Sequence, residues 1–307
     1  MVKLFFGMSI SFLVVLSSFC TDKVDFDRAF GKEDAYFNTS YKSLFYDVAQ
    51  YIPSWLGLNP RMIYQLNSFC RMLYNKHYVK VPLRAHTERI PKLIHQIWLG
   101  SPLPNKYKKW QSTWQNMGPD WQYKLWTDAD VKELKLFNQN FYDSETNWGA
   151  KSDILRIEIL YKYGGIYVDT DFECVDPDLF RVFNSNFDFY AGFHPADIKL
   201  FALENALIAS VPKHPILKGY IQELKNNYSI YNNLLSRTGP GALTRIFFQY
   251  ANGPGYKDIV FPPSFFYSLG YYYAKECFKV GMTNEEIKKQ CLKPESMAVH
   301  WWEGSWN

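Results

Sequence analysis

A helical pattern that breaks at two glycines and runs at once into a short strand ending in paired carboxylates is the strongest constraint on this chain. Between Trp148 and Tyr163 the apolar residues Ala150, Ile154, Ile157 and Tyr161 recur at helical spacing. Gly164-Gly165 closes that helix and lets the chain turn sharply. Ile166-Tyr167-Val168-Asp169-Thr170-Asp171 then reads as a strand. Side chains alternate along a strand, so Tyr167, Asp169 and Asp171 are expected on one face and Ile166, Val168 and Thr170 on the other. Asp153 and Arg156 lie three apart and share a helix face. The helix and the strand end should therefore gather Asp153, Arg156, Tyr167, Asp169 and Asp171 around one pocket.

The chemistry of that set is specific. Two adjacent carboxylates repel unless a cation joins them, and hard ions such as Mn²⁺ or Mg²⁺ prefer carboxylate oxygens. An ion held there would bridge to a diphosphate and stabilise its charge as it leaves. Arg156 suits a phosphate or a sugar hydroxyl, and Asp153 suits sugar hydroxyls as an acceptor. A bare Asp-x-Asp is usually a solvated turn, and an isolated Asp–Arg pair a weak surface contact. A calcium loop would need Gly at its sixth position and Glu at its twelfth. Cys174 and Phe180 stand there instead.

The combined pattern carries more than its parts. Ser152-Asp153-Ile154-Leu155-Arg156, followed by Leu160-Tyr161-Lys162-Tyr163-Gly164-Gly165-Ile166-Tyr167-Val168-Asp169-Thr170-Asp171, resembles the DXD sugar-binding region of glycosyltransferase family 32, the mannosyltransferases and their relatives. The same Asp-x-x-Arg and Tyr-x-Asp-x-Asp arrangement is similar to that of the clostridial glucosylating toxins. Ile90 to Gly100 and Leu125 to Asp128 resemble the first two strands of that family's catalytic domain. Thr238-Gly239-Pro240 and His300-Trp301-Trp302-Glu303-Gly304-Ser305-Trp306 resemble its later segments. The resemblance implies an α/β, GT-A type (Rossmann-like) fold, a UDP- or GDP-hexose donor, a divalent metal, and retention of anomeric configuration. It implies that Ile97 and Trp98 flank the base and that Asp153 and Arg156 hold the donor sugar. Tyr167 and Asp169 would approach the ribose and the metal, and Asp171 would ligate the metal. The chain end would close over the diphosphate through His300, Ser305 and Trp306, with His300 preferred to Glu303 as a further metal ligand.

The first residues are distinct. Lys3 precedes the apolar stretch Leu4 to Phe19, which fits a signal peptide or a short signal anchor. That places residues 1–20 in a leader, with possible membrane association through residues 4–19, and the protein in the secretory pathway or cell envelope. Residues 21–88 read as a mainly helical accessory or stem segment, with helical spacing over Tyr41–Tyr51 and Pro60–Tyr74. Residues 89–307 form the catalytic domain. A net charge of +4 without a Lys/Arg block excludes nucleic acid as a partner. In an oxidising compartment Cys70, Cys174, Cys277 and Cys291 are available to pair, with Cys277 and Cys291 the nearest couple in sequence. Asn38-Thr39-Ser40 and Asn227-Tyr228-Ser229 are glycosylation sequons.

Within the catalytic domain, strands are expected at Leu93–Leu99, Tyr123–Trp126 and Phe187–Gly192. Asp128 is expected to cap a helix. Asn205–Ser210 reads as a strand or a short helix. Helices are expected from Asn105, over Pro212–Asn226 and over Leu243–Tyr250. Strands alternating with helices give a layered α/β sheet. Gly239 and Pro240 stand before a helix start, where backbone amides meet phosphate or sugar oxygens, and Asn205 is a candidate to face the acceptor. The expected activity is metal-dependent transfer of a hexose to a glycan, lipid or protein hydroxyl. A secreted effector acting on a host protein and an inactive sugar-nucleotide-binding module are the competing readings.

Overall fold

The computed structural model describes residues 23–46, 60–84 and 87–304. The leader expected at 1–20, Ser305 and Trp306 lie outside these residues. No described helix is long and apolar enough to cross a membrane.

Eight strands are present among the described residues: β1 Leu93–Ile97, β2 Gln122–Trp126, β3 Gly165–Val168, β4 Phe172–Cys174, β5 Phe189–Phe193, β6 Leu203–Ser210, β7 Asp258–Phe261 and β8 Ala298–His300. Six form a central sheet in the order β2-β1-β3-β6-β5-β7, and β4 pairs with β8 in a separate ribbon. The β2–β1, β1–β3 and β5–β7 pairs are parallel, whereas β6 runs antiparallel to both of its neighbours. This is the α/β class expected. Its parallel strands β1, β2 and β3 end on one edge, the edge where open α/β sheets place ligands. Because β6 is reversed, its first residues return to that same edge: Val168 pairs with Leu207, and Gly165 with Ser210.

The helix Trp148–Tyr163 forms as read from the sequence, capped by the Asn147 side chain, which accepts the Ala150 N–H at 3.0 Å. It buries Ile154, Leu155, Ile157, Ile159 and Leu160 against the sheet. Gly164 (φ 66°) and Gly165 (φ 97°) make the turn into β3. A Cβ on Gly165 would stand 2.5 Å from the Leu93 carbonyl oxygen, so the two strands can approach only with glycine there.

Several expectations shift at their boundaries. β1 stops at Ile97, and the helix expected from Leu243 starts at Pro240 with Gly239 at its cap. Asn205–Ser210 is a strand, part of β6. The helix after β2 is capped by Thr127, which forms a capping box with Asp130. Asp128 therefore does not cap it, and its carboxylate accepts the Gly100 N–H at 2.8 Å instead. The expected Cys277–Cys291 pairing is corrected: Cys70, Cys174, Cys277 and Cys291 are all free buried thiols. Cys277 and Cys291 share one small apolar cluster with Trp110 and Trp301, where each packs as a hydrophobic residue.

The described parts of residues 21–88 are built into the main core. Phe26 and Phe30 pack on Phe193, and Tyr74 on Phe261 and Phe265. The helix Pro60–Tyr74 forms as expected. The helix read from Tyr41 spans Asn38–Tyr46, and its continuation toward Tyr51 falls outside the described residues.

Candidate active site

Strand β3 ends at Val168, one residue before the first carboxylate. Asp169 and Asp171 therefore do not share a strand face, as simple alternation predicted. They flank a tight turn into β4, in which the Phe172 N–H bonds the Asp169 carbonyl at 3.2 Å. The β4–β8 ribbon then sets His300 opposite Phe172, and their rings stack with centroids 4.4 Å apart. The result is a three-residue cluster. Asp169, Asp171 and His300 each offer a ligand atom, and these atoms all lie within 4.8 Å of one another.

The turn after β8 closes the other side. Trp301 donates its N–H to the Asp171 carbonyl at 3.0 Å. Trp302 adopts a left-handed backbone (φ 56°), a costly conformation for a bulky residue. That turn aims the Glu303 N–H at Asp171 Oδ2, 3.0 Å away. Burial penalises the Asp171 charge, but His300, 3.2 Å from Oδ1, outweighs it and holds the carboxyl below its usual range. Burial likewise disfavours imidazolium at His300, yet Asp171 reverses the sign and raises that pKa. The His300 Nδ1 atom is buried and has no hydrogen-bond partner among the described residues. Two carboxylates and an imidazole with an unused nitrogen fit a divalent transition ion.

Arg156 organises the second half of the site. Its side chain is 2% exposed and lies over the Tyr167 ring, 4.3 Å from the centroid. It stands 3.2 Å from Asp153 and 3.3 Å from Asp169, and it donates to the Asn205 carbonyl at 2.7 Å. Ser152 Oγ accepts a further hydrogen bond at 3.1 Å. Arg156, expected at a phosphate or a sugar hydroxyl, is here paired with two carboxylates. Tyr167 donates its hydroxyl to Asp169, completing the support of that side chain.

Asp153 is the focus of a separate network. It accepts hydrogen bonds from Asn205 Nδ2 at 2.8 Å and from Thr238 Oγ1 at 2.9 Å. Burial pushes its pKa up to about 7, despite Arg156 and these donors. Gly239 lies alongside, where a Cβ would come 3.5 Å from Asp153 Oδ2. Pro240 is the first residue of the helix that Gly239 caps. Asn205, expected toward an acceptor, is buried and spends its amide on Asp153. Thr238 Oγ1, rather than a Gly239 amide, is the group of this segment that meets Asp153.

Ile97 and Trp98 lie at the end of β1 on the same sheet edge. Ile97 is buried, whereas Trp98 is partly exposed, rests on Tyr107 (centroids 4.9 Å apart) and donates its indole N–H to Ser101 at 3.1 Å. One pair had no signal in the sequence. His194, just past β5, brings Nδ1 within 2.6 Å of Glu204 Oε1 on β6, and both are buried. His194 Nε2 has no partner among the described residues. Only pairing β5 with the reversed β6 brings these two residues to one edge.

Two family models match this chain: "Glycosyltransferase sugar-binding region containing DXD motif" over residues 104–186, and "Alpha 1,4-glycosyltransferase conserved region" over residues 209–307. Inositol phosphoceramide mannosyltransferase 3 of Schizosaccharomyces pombe is 30% identical over 179 residues, 54% of this chain and 47% of that protein. Mannosyl phosphorylinositol ceramide synthase of Saccharomyces cerevisiae is 30% identical over 175 residues, 52% of this chain and 42% of that protein. Lactosylceramide 4-alpha-galactosyltransferase of Mus musculus is 28% identical over 158 residues, 49% of this chain and 40% of that protein. The chain spans about half the length of the curated relatives it matches. Among solved structures, the PaToxG glycosyltransferase aligns with a TM-score of 0.45 at 21% identity, covering 63% of this chain and 78% of that one.

Proposed function

We propose hexosyl transfer from a nucleotide-diphosphate sugar to a hydroxyl acceptor, on the premise that this chain belongs to the glycosyltransferases with a DXD sugar-binding region. The observation that carries the proposal is the convergence of Asp169, Asp171 and His300 within 4.8 Å, beside an Asp153 held by Arg156, Asn205 and Thr238.

Asp169, Asp171 and His300 would hold the metal, and the imidazole ligand favours Mn²⁺ over Mg²⁺. A bound divalent ion would supply neutralisation of the departing diphosphate. Arg156 pins Asp153 and Asp169 in one geometry and is a positioning residue. Asp153 has oxygen lone pairs to spare after its three contacts and is placed to accept donor sugar hydroxyls. Trp98 presents an indole face for the base. Ser305 and Trp306, from the family resemblance, would close over the diphosphate. The family resemblance supports retention, and with no carboxylate among the described residues set apart as a nucleophile, retention would come by attack from the face of the leaving group. The mannosyltransferase and galactosyltransferase relatives, with acceptors named as ceramide lipids, support a lipid or glycan hydroxyl as acceptor. The apolar stretch of residues 4–19 supports a place in the secretory pathway, with those residues as the attachment.

The test is donor hydrolysis by the purified chain with UDP-glucose, UDP-galactose, UDP-N-acetylglucosamine and GDP-mannose, with and without Mn²⁺. Metal-dependent release of UDP or GDP from one donor is expected. No release and no binding of any donor with metal present overturns the proposal.

A further inference from the structure

We propose that a cavity of about 480 Å³ beside the metal cluster is the acceptor subsite, and that it takes a neutral polyhydroxylated headgroup, a sugar or a cyclitol. This deepens the reading above and rests on it. The cavity is lined by Phe30, Phe37, Pro195, Ser264, Tyr267 and Lys293, among others. Its volume falls within the range of small-ligand sites.

Position is the first argument. Tyr267 is shared between the cavity and the cluster, with its ring 5.9 Å from the His300 ring and 6.0 Å from that of Trp302. Pro195 follows His194, whose pairing with Glu204 marks the same sheet edge. A ligand in the cavity is thus one side chain from the reacting centre. Asn205, the acceptor candidate read from the sequence, is outside this lining and donates to Asp153.

Unmet hydrogen bonding is the second argument. Ser264 Oγ is buried and has no hydrogen-bond partner among the described residues. Buried hydroxyls are normally satisfied, so this one in the cavity wall calls for a ligand that donates or accepts. Phe30 and Phe37 add aromatic surface of the kind that packs on the C–H face of a sugar ring.

Charge is the third argument. The cations at the mouth already have partners: Arg28 with Glu33 at 3.4 Å, and Lys293 with Asp34 at 3.1 Å. No described cation in the lining is left to meet a phosphate, which favours a neutral ligand. The wall supplied by residues 24–37 lies outside both family regions, so this subsite belongs to this chain's own N-terminal segment.

The experiment is saturation-transfer NMR on the full chain with two neutral polyols, methyl β-lactoside and myo-inositol. Ala35 is exposed at the mouth, and Ala35→Trp fills it from outside the core. Binding of at least one polyol by the wild-type chain is expected, weakened at least about tenfold by Ala35→Trp and about threefold by Ser264→Ala. No binding of either polyol, or equal binding by wild type and both variants, overturns the subsite. Donor hydrolysis in the same preparation reads the metal cluster separately. Its absence from the wild-type chain overturns the glycosyltransferase reading while the NMR result still decides the cavity.

Discussion

The edge that carries Asp153, Asp169 and Asp171 and the core beneath Phe261 are built on opposite principles. At the edge, one buried guanidinium holds two carboxylates, and hydrogen bonds from Tyr167, Asn205 and Thr238 fix where each oxygen points. In the core, Phe261 packs against Phe183, Phe265, Tyr74 and Tyr78 through ring contacts alone. Burying charge is expensive and weakly stabilising even when paired, whereas burying rings is the main source of stability. The contrast teaches that the charged edge is kept for what it does and the aromatic core for what it holds. Variants in the two regions should separate function from folding.

The largest separation is expected from the carboxylates. Asp171→Ala or Asp169→Ala should lower transfer by about 10³-fold or more, since a metal ligand and a leaving-group stabiliser are lost together. The fold should be retained, with a smaller loss of stability than a large core truncation causes, because each carboxylate leaves behind one partner, His300 or Arg156, that keeps other contacts. Wild-type turnover in either variant would dissolve the metal assignment. The converse variant is Phe261→Ala, expected to destabilise by about 3–5 kcal/mol in denaturant titration while activity per folded molecule is retained. Activity that fell with Phe261→Ala while stability held would break the comparison outright.

Arg156 lies between these extremes and sharpens the comparison. Arg156→Ala would leave Asp153 and Asp169 buried without their cation, at a cost of about 3–5 kcal/mol. It should therefore lose transfer and also more stability than Asp171→Ala. Urea titration beside a donor-hydrolysis assay tells the two patterns apart, and unchanged stability would show that the guanidinium is not the hub of the edge.

Much of the edge is legible in the sequence. The helix Trp148–Tyr163, the glycine turn and the run to Asp171 declare themselves because each is local: periodicity, a φ only glycine tolerates, and adjacent carboxylates. His300 was found by position within a resemblance, since its approach to Asp171 depends on a ribbon joining residues 129 apart in sequence. Three things were not legible. The bend at Asp169 replaced strand alternation because β3 ends at Val168, and no local residue announces that end. Arg156 read as a ligand group: its Asp153 partner is local, three residues back on the same helix, but Asp169 reaches it from a strand end that only the fold brings there. The His194–Glu204 pair requires a reversed β6, and strand direction in the sheet is set by connections that a linear pattern does not show.

A smaller effect is expected on metal binding. His300 must offer a lone pair to a metal, and its raised pKa, set by Asp171 against the opposing effect of burial, means that a proton competes for it. Mn²⁺ affinity should therefore increase with pH across the range in which His300 titrates. Titration calorimetry from pH 6 to pH 8 would show this, and His300→Gln should flatten the dependence. A pH-independent affinity in the wild-type chain would remove His300 from the ligand set.

The smallest effect concerns Asp153 in the metal-free chain. Burial raises its folded pKa to about 7, above the ordinary aspartate value of 3.8. Between these values the folded state binds more protons than the unfolded state, so unfolding free energy must decrease as pH rises through that window. The contribution is present in full below about pH 4 and lost above about pH 7, the opposite of the usual paired aspartate. Asp153→Asn removes the titrating group while keeping its contacts with Thr238 and Asn205 open. The difference in stability between variant and wild type should then grow as pH is raised from 4 to 7. Urea titrations at four pH values measure it. A wild-type stability that rises relative to the variant across this window would show that Arg156 dominates burial at Asp153, and the charged edge would then stabilise the fold as the aromatic core does.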